Sequence, residues 1–173
     1  MVGRLLGGAS TLLAWIGGLG LVLMMLHITA DVIARYIFSA PLHGTVEIVS
    51  AYYMVAVVFL PLAMIERVNG HIVVELVTQH FPRRLQEILI AVVALLSAAY
   101  FVAFTWQTWG DAMKKYAVGE EALGTVSIVV WPTRFYLPIG CGLLALVLVH
   151  KAFRLFAGNH TVLASQDHTK LPD

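Results

Sequence analysis

The chain has 173 residues, of which 60% are hydrophobic and 12% are charged, and its formal net charge is +1. Soluble domains contain about 45–50% apolar and about 25% charged residues, and a soluble fold of this size has too little interior for so many apolar side chains. The composition excludes a nucleic-acid-binding role and a disordered chain. The single cysteine, Cys141, excludes a disulfide scaffold. The sequence therefore predicts an integral membrane protein.

Four apolar segments are long enough to cross a membrane, because the hydrocarbon core of about 30 Å takes about 20 helical residues. The predicted spans are about residues 5–30, 46–65, 88–110 and 131–156. Pro61 and Pro138 lie inside spans two and four, where we expect kinks. The predicted fold class is all-α, with a four-helix membrane domain over residues 1–158. Residues 159–173 are predicted to form a solvated tail.

The start of the first span also has the basic residue, Arg4, that begins many signal peptides. Its apolar run, Leu5–Ala30, is longer than the about 7–15 residues of a signal-peptide core. We therefore expect this segment to remain in the protein as a transmembrane helix.

The basic residues predict the orientation of the four spans. Seven of them fall on the side that holds both termini: Arg4, Arg67, Arg83, Arg84, Lys151, Arg154 and Lys170. Four fall on the other side: Arg35, Lys114, Lys115 and Arg134. The positive-inside rule then places both termini in the cytoplasm. Trp106, Trp109 and Trp131 lie near the predicted outer interface, where tryptophan anchors a protein to the headgroup layer.

The connector between spans two and three has the spacing of a helix that lies in the membrane surface. Over about residues 70–84, one helical face carries four apolar residues: Ile72, Leu76, Val77 and Phe81. Arg83 and Arg84 follow, and we expect them to lie among anionic headgroups. Val73 and Val74 blur this pattern, so a short strand or a simple connecting loop is the alternative.

The connector from Asp111 to Thr133 is predicted to be an outer loop, since it contains Gly119, Gly124 and Pro132. Its second half is apolar. We expect this half to dip into the interface or to begin span four early.

Asp31 and Arg35 are four residues apart at the outer end of span one, so they share a helix face and can pair. Glu47 opens span two, where it can offset the helix dipole or reach Arg35. A proton or ion pathway is the functional alternative, but no second acid lies mid-span to continue a relay. We therefore interpret Asp31, Arg35 and Glu47 as structural ion-pairing residues.

Other chemical roles find little support in the sequence. His27 and His150 fall near opposite membrane faces, and the other histidines lie in connectors and the tail. No pair of histidines has the i, i+4 spacing of a helical metal site. This placement argues against a metal or haem site. No nucleophile motif or nucleotide-binding loop is present, so we expect no enzyme activity, no metal and no cofactor in this chain. Three glycines of span one, Gly17, Gly18 and Gly20, are predicted to allow close helix packing.

Three groups of residues carry a further signal in their order and spacing. Asp31, Arg35, Tyr36 and Pro41 precede Glu47. The run Arg67-Val-Asn-Gly-His-Ile-Val-Val-Glu-Leu is followed by Pro82, Arg83 and Arg84. Trp131, Tyr136, Pro138, Ile139 and Gly140 begin span four. Together they resemble the small membrane subunit (DctQ type) of tripartite ATP-independent periplasmic (TRAP) transporters, although Glu75 stands where that family usually has Asp. The tail lies outside the resemblance.

The resemblance implies a place in the bacterial inner membrane and two protein partners. In such systems a periplasmic solute-binding protein captures an organic anion such as a carboxylate, and a large membrane subunit carries it inward by a sodium-coupled elevator motion. The small subunit would scaffold and anchor the large one, with sodium coupling in the large subunit. The outer connectors would contact the binding protein through six residues: Tyr36, His43, Lys114, Lys115, Glu120 and Glu121.

Two other kinds of membrane protein stay open as alternatives. A small four-helix proton-coupled exporter needs an acid inside helix one, and here no acid precedes Asp31. A membrane cytochrome subunit needs facing histidines at matched depth.

Overall fold

Four helical spans form one bundle in the computed structural model, which describes residues 2–40, 42–68, 83–122 and 126–156. Four segments are long and apolar enough to cross a membrane: Gly3–Phe38, Thr45–Arg67, Ile88–Val118 and Trp131–Arg154. This confirms the predicted all-α membrane fold. The predicted interfacial segment, with Ile72, Leu76, Val77 and Phe81, lies outside the described residues up to position 82. The predicted tail, 159–173, also lies outside them.

Helix α1 runs from Val2 to Phe38 without a break and is longer than the predicted span. The prediction stopped at Ala30 because charged residues follow. Asp31 and Arg35 do not end the helix, because they pair with each other along its surface at 2.9 Å.

Span two is interrupted twice. It consists of α2 (Thr45–Ile48), a π-helical turn (Val49–Tyr53), α3 (Met54–Phe59) and α4 (Leu62–Arg67). The second interruption is at Pro61, as predicted, since proline has no N–H to donate to the preceding turn. Helix α4 restarts there because the amides of Met64 and Ile65 both donate to the Pro61 carbonyl, at 2.9 and 3.1 Å.

Span three is one long helix, α5 (Arg83–Val118). The prediction of an outer loop from Asp111 is wrong for its first eight residues, because the helix continues to Val118. The chain then forms a short antiparallel pair of strands, β1 (Glu121–Ala122) and β2 (Ile128–Val129). The apolar second half of the connector therefore supplies a strand.

Span four begins with a 3-10 turn, Trp131–Phe135, and continues as α6 (Tyr136–Phe156). Pro138 is the third residue of α6, directly after the 3-10 turn, and α6 continues without interruption to Phe156. The expected kink at Pro138 stays a prediction.

Span four is the central element of the bundle. Helix α6 packs along most of α5 and also contacts α1, α3 and α4. The core between these helices contains small and branched apolar residues: Ala63, Ala94, Ala98, Leu144, Val147, Leu148 and Ala152. Alanine on α5 opposite leucine on α6 lets the two helices approach closely, which favours packing where the surrounding lipid is as apolar as the core.

Glycine makes the closest contacts of span two possible. A Cβ atom on Gly140 of α6 would overlap the carbonyl oxygen of Phe59, at the end of α3. A Cβ on Gly17 of α1 would lie 3.2 Å from Cδ of Pro61. Gly17 and Gly20 face span two, as the packing prediction required, whereas a Cβ on Gly18 would meet nothing within 4 Å.

The contact at Gly140 predicts an intolerance that can be measured. Gly140→Ala should lower the free energy of unfolding by about 1–3 kcal/mol, because overpacking against a backbone atom forces the helices apart. Thermal unfolding of the detergent-purified protein, followed by circular dichroism, measures this loss. Gly110→Ala is the matched control, since a Cβ on Gly110 meets nothing within 4 Å. Equal effects of the two variants would contradict the proposed close contact.

Candidate functional site: polar clamps at the two ends of the bundle

Asp31 joins the end of α1 to the beginning of span two. One carboxylate oxygen accepts a hydrogen bond from the Arg35 guanidinium at 2.9 Å, and the other accepts one from the backbone N–H of Leu42 at 2.9 Å. The Thr45 hydroxyl donates a hydrogen bond to the carbonyl of Leu42 at 3.2 Å, which holds the same part of the connector. Asp31 is 6% exposed, whereas the Arg35 side chain is 63% exposed. We call Asp31, Arg35, Leu42 and Thr45 the Asp31 clamp.

Asp31, the buried member of the Asp31–Arg35 pair, therefore has the larger structural role. The spacing of Asp31 and Arg35 predicted their pairing, but nothing in the sequence predicted the contact of Asp31 with Leu42. That contact depends on how the connector folds back across eleven residues. Glu47 lies half-buried in the first turn of span two, at the position where an acid offsets the helix dipole.

Glu120 joins the end of α5 to the beginning of span four. Its carboxylate accepts two hydrogen bonds from Arg134, at 2.9 and 3.0 Å, and pairs with Lys115 at 2.9 Å. Its carbonyl accepts a hydrogen bond from the Val130 amide at 2.9 Å. The hydrogen bonds from Arg134, and then that from Lys115, lower the pKa of the Glu120 carboxyl to about 2. We call Glu120, Lys115 and Arg134 the Glu120 clamp.

The six residues predicted to contact the binding protein all lie at this same end of the bundle. They differ in side-chain exposure and in the contacts that they already make within the chain. Tyr36 is 91% exposed and His43 is exposed. Lys114 makes a loose, exposed pair with Asp111 at 3.6 Å. Glu120 and Lys115 are held within the Glu120 clamp, and Glu121 accepts a hydrogen bond from Ser127 at 2.6 Å.

The three predicted tryptophan anchors also lie at this end, which we call the far end because it is opposite the N-terminus. Trp106 is largely exposed. Trp131 packs edge-on against Tyr116 with ring centroids 4.8 Å apart, and Trp109 packs edge-on against Phe135 at 5.7 Å. Trp109 and Trp131 therefore also hold spans three and four together.

The near end, at the start of α1, is held by a clamp that the sequence analysis missed. Arg67 at the end of span two donates hydrogen bonds to the carbonyl of Gly7 at 3.1 Å and to the hydroxyl of Ser10 at 2.9 Å. Ser10 is fully buried. The side chains of Glu66 and Lys151, both mostly buried, pair at 2.7 Å and join span two to span four.

The sequence contained a signal for part of this near-end clamp. Glu66 and Arg67 directly follow predicted span two, and Lys151 lies near the end of predicted span four; Arg67 and Lys151 contributed only as basic charges to the predicted orientation. In the structure Lys151 pairs with Glu66 inside the protein. Ser10 gave no signal, because a single serine in an apolar helix has no distinctive pattern.

The interior between the two ends is apolar. Within the described ranges, the buried polar side chains of Ser10, Asp31, Thr45 and Thr133 all lie at the ends of spans. The hydroxyl of Thr105 is a buried polar atom nearer the middle of a span, and it has no hydrogen-bond partner. The same part of the chain contains no group of three His, Cys, Asp or Glu side chains placed to hold a metal ion. The geometry thus suits fixing helices in place.

A comparison with known protein families decides the family of this chain. The family model described as "Tripartite ATP-independent periplasmic transporters, DctQ component" matches residues 24–158. The chain belongs to the DctQ family. Comparisons with curated proteins and with solved structures gave no match.

Membership of the DctQ family makes this multi-pass membrane protein a small subunit of a TRAP transporter, as the resemblance had indicated. The family is a transporter component and not a family of enzymes. The matched range includes both the Asp31 and the Glu120 clamps. It begins after Gly7 and Ser10, so it leaves out the α1 side of the near-end contacts.

The Asp31 clamp predicts unequal effects of its two charges. Asp31→Ala should lower the free energy of unfolding by about 1–3 kcal/mol, because it leaves the Leu42 amide and the Arg35 guanidinium without their acceptor. Arg35→Ala should cost less than about 1 kcal/mol, as expected for an exposed ion pair. Thermal unfolding in detergent compares the two variants. A larger loss for Arg35→Ala would show that the carboxylate is not the centre of the clamp.

The Glu120 clamp predicts a pH dependence of stability. A carboxyl whose pKa falls from 4.5 to about 2 on folding stabilises the protein fully above pH 4.5. This stabilisation disappears as the pH falls from 4.5 to about 2. At pH 6, Glu120→Gln should cost about 1 kcal/mol, because the exposed surroundings screen the charged hydrogen bonds. The measurement is the melting temperature of both proteins from pH 6 to pH 2, and the difference should vanish towards pH 2. A constant difference would rule out the ionised carboxylate as its source.

Proposed function

We propose that this chain scaffolds and anchors the large membrane subunit of a sodium-coupled, binding-protein-dependent TRAP transporter that takes up an organic anion such as a carboxylate. The observation that carries the proposal is the family match over residues 24–158. In this proposal the chain neither catalyses a reaction nor carries the substrate, and both the sodium sites and the elevator motion belong to the large subunit.

The apolar interior supports a role in which this chain does not carry the substrate. A hydrophilic solute or a sodium ion that crosses a membrane needs polar groups along its path, since charge in hydrocarbon is costly. In the described ranges, the buried charged and hydrogen-bonded polar side chains lie at the ends of the spans, whereas the core contains Ala, Leu and Val. The transport pathway therefore belongs in a partner.

The clamps support a scaffolding role. A subunit that moves through the membrane needs a neighbour whose helices keep their depth and tilt. At the far end, Asp31 and Glu120 each join two consecutive spans, and at the near end Arg67 joins spans one and two while Lys151 joins spans two and four. Because hydrogen-bonded polar groups at membrane depth resist separation, these contacts oppose sliding of one helix past another.

The proposed orientation places the near end in the cytoplasm of a bacterial inner membrane and the far end in the periplasm. The exposed far-end residues Tyr36, His43 and Lys114 are then available to the docked solute-binding protein. In this proposal Glu120 and Lys115 shape that surface through their clamp.

Reconstitution tests the proposed function. The tagged chain is purified from its native membranes, and co-purifying membrane proteins are identified by mass spectrometry. Vesicles then receive the large subunit, this chain and the binding protein, with the solute that mass spectrometry finds in the purified binding protein. Uptake should need all three proteins and an inward sodium gradient. Uptake by vesicles that contain this chain alone would overturn the proposal.

A further inference from the structure

A guanidinium from span two and an imidazole from span four meet the same side of α1 at the near end. A Cβ atom on Gly7 would lie 2.9 Å from Nη2 of Arg67, and one on Gly3 would lie 3.3 Å from Nε2 of His150. Gly3 and Gly7 are four residues apart, so they share a helix face and lie about 6 Å apart along its axis. We call Arg67, His150 and the two glycines the Arg67 site.

Two neutral acceptors hold the Arg67 guanidinium in place. Its Nη1 donates hydrogen bonds to the carbonyl of Gly7 at 3.1 Å and to the hydroxyl of Ser10 at 2.9 Å. The N–H groups on Nη2 and Nε remain for another acceptor. Among the residues that the structure describes, no carboxylate pairs with Arg67, and the imidazole of His150 has no hydrogen-bond partner. The Arg67 site therefore presents oriented donors that the described protein does not use.

The near end has more positive than negative charge. In spans one, two and four it contains four basic residues and one acid: Arg4, Arg67, Lys151, Arg154 and Glu66. Glu66 pairs with Lys151 at 2.7 Å. Arg4 lies three residues before Gly7, so it shares that side of α1 and adds its charge there. This surplus of positive charge favours an anion at the Arg67 site.

The Arg67 site lies at the level of the lipid phosphates. Arg67 is the last residue of span two, Gly3 is the first residue of span one, and span four ends at Arg154, four residues after His150. The phosphate layer borders the hydrocarbon at this level, and basic pockets between transmembrane helices bind anionic head groups. A guanidinium can also donate two parallel hydrogen bonds to one phosphate. The chemistry and the depth of the site therefore both suit a lipid phosphate.

We propose that the Arg67 site binds the phosphate of an anionic phospholipid such as phosphatidylglycerol. Arg67 donates to the phosphate oxygens through Nη2 and Nε, and His150 donates one N–H from the opposite side. The bound lipid thereby joins spans one, two and four. Phospholipids surround the chain at this level, which favours them over a carboxylate of a protein partner. The assignment goes beyond the proposed function and does not rest on it, because it uses only contacts within this chain.

Thermal unfolding of the purified full chain tests the assignment, because a ligand that binds the folded protein raises its melting temperature. The chain in neutral detergent receives phosphatidylglycerol, phosphatidylcholine with the same acyl chains, or inorganic phosphate. Phosphatidylglycerol should raise the melting temperature to a plateau, and the other two should leave it unchanged. An equal rise with phosphatidylcholine would show that the site does not select an anion, and an equal rise with inorganic phosphate would make free phosphate the ligand. Either result, or no rise with phosphatidylglycerol, would overturn the assignment.

Substitutions show where the lipid binds. The phosphatidylglycerol concentration that gives half of the maximal rise should increase about tenfold for Arg67→Gln and about threefold for His150→Leu, as for the loss of a charged and of a neutral hydrogen bond. Lys114→Gln is the matched control, since it removes one positive charge from the exposed far end and should leave this concentration unchanged.

The two variants keep the test decisive if one of them does not fold. Arg67→Gln also removes the contacts with Gly7 and Ser10, whereas His150 makes no hydrogen bond with the described residues, so His150→Leu still reports on lipid binding. An unchanged half-maximal concentration in the folded variants, or an equal increase in Lys114→Gln, would show that the lipid binds elsewhere and would overturn the assignment.

Discussion

A charged or polar group that lipid cannot solvate must find its partner inside the protein, and this constraint determines where the helices of the chain meet. An isolated charge at the centre of a transmembrane helix costs at least about 2.5–3.5 kcal/mol. In the described part of the chain, the charged residues of the spans lie near their ends, and several pair between elements that are distant in sequence. Lys151 and Glu66, 85 residues apart, are the clearest case.

Between these end clamps, close packing of complementary surfaces holds the helices together. Gly140 lets α6 reach the backbone of Phe59, and Gly17 lets α1 reach Pro61. Both contacts fall where Pro61 interrupts span two, so the break and the two glycines are parts of one arrangement. Because lipid provides no hydrophobic drive between helices, such close contacts supply van der Waals attraction that looser packing would lose.

This division between polar ends and an apolar middle fits a subunit that holds position while a partner moves. A transport pathway needs polar groups across the membrane, and in the described part of the chain the buried, hydrogen-bonded polar side chains lie at the ends of the spans.

The sequence by itself determined the membrane class, the number of spans, the break at Pro61 and the family resemblance, because each depends on local composition or spacing. Helices α1 and α5 extend beyond the predicted spans, because a charged residue that finds a partner does not end a helix. Asp111 and Lys114, for example, pair along α5. Only the tertiary structure decided that Asp31 caps the connector at Leu42, that Arg67 reaches Ser10, and that Gly18 faces outward while Gly17 faces span two. These contacts join residues up to 57 positions apart, and the rotation of each helix about its axis is set by the packing of all four spans together.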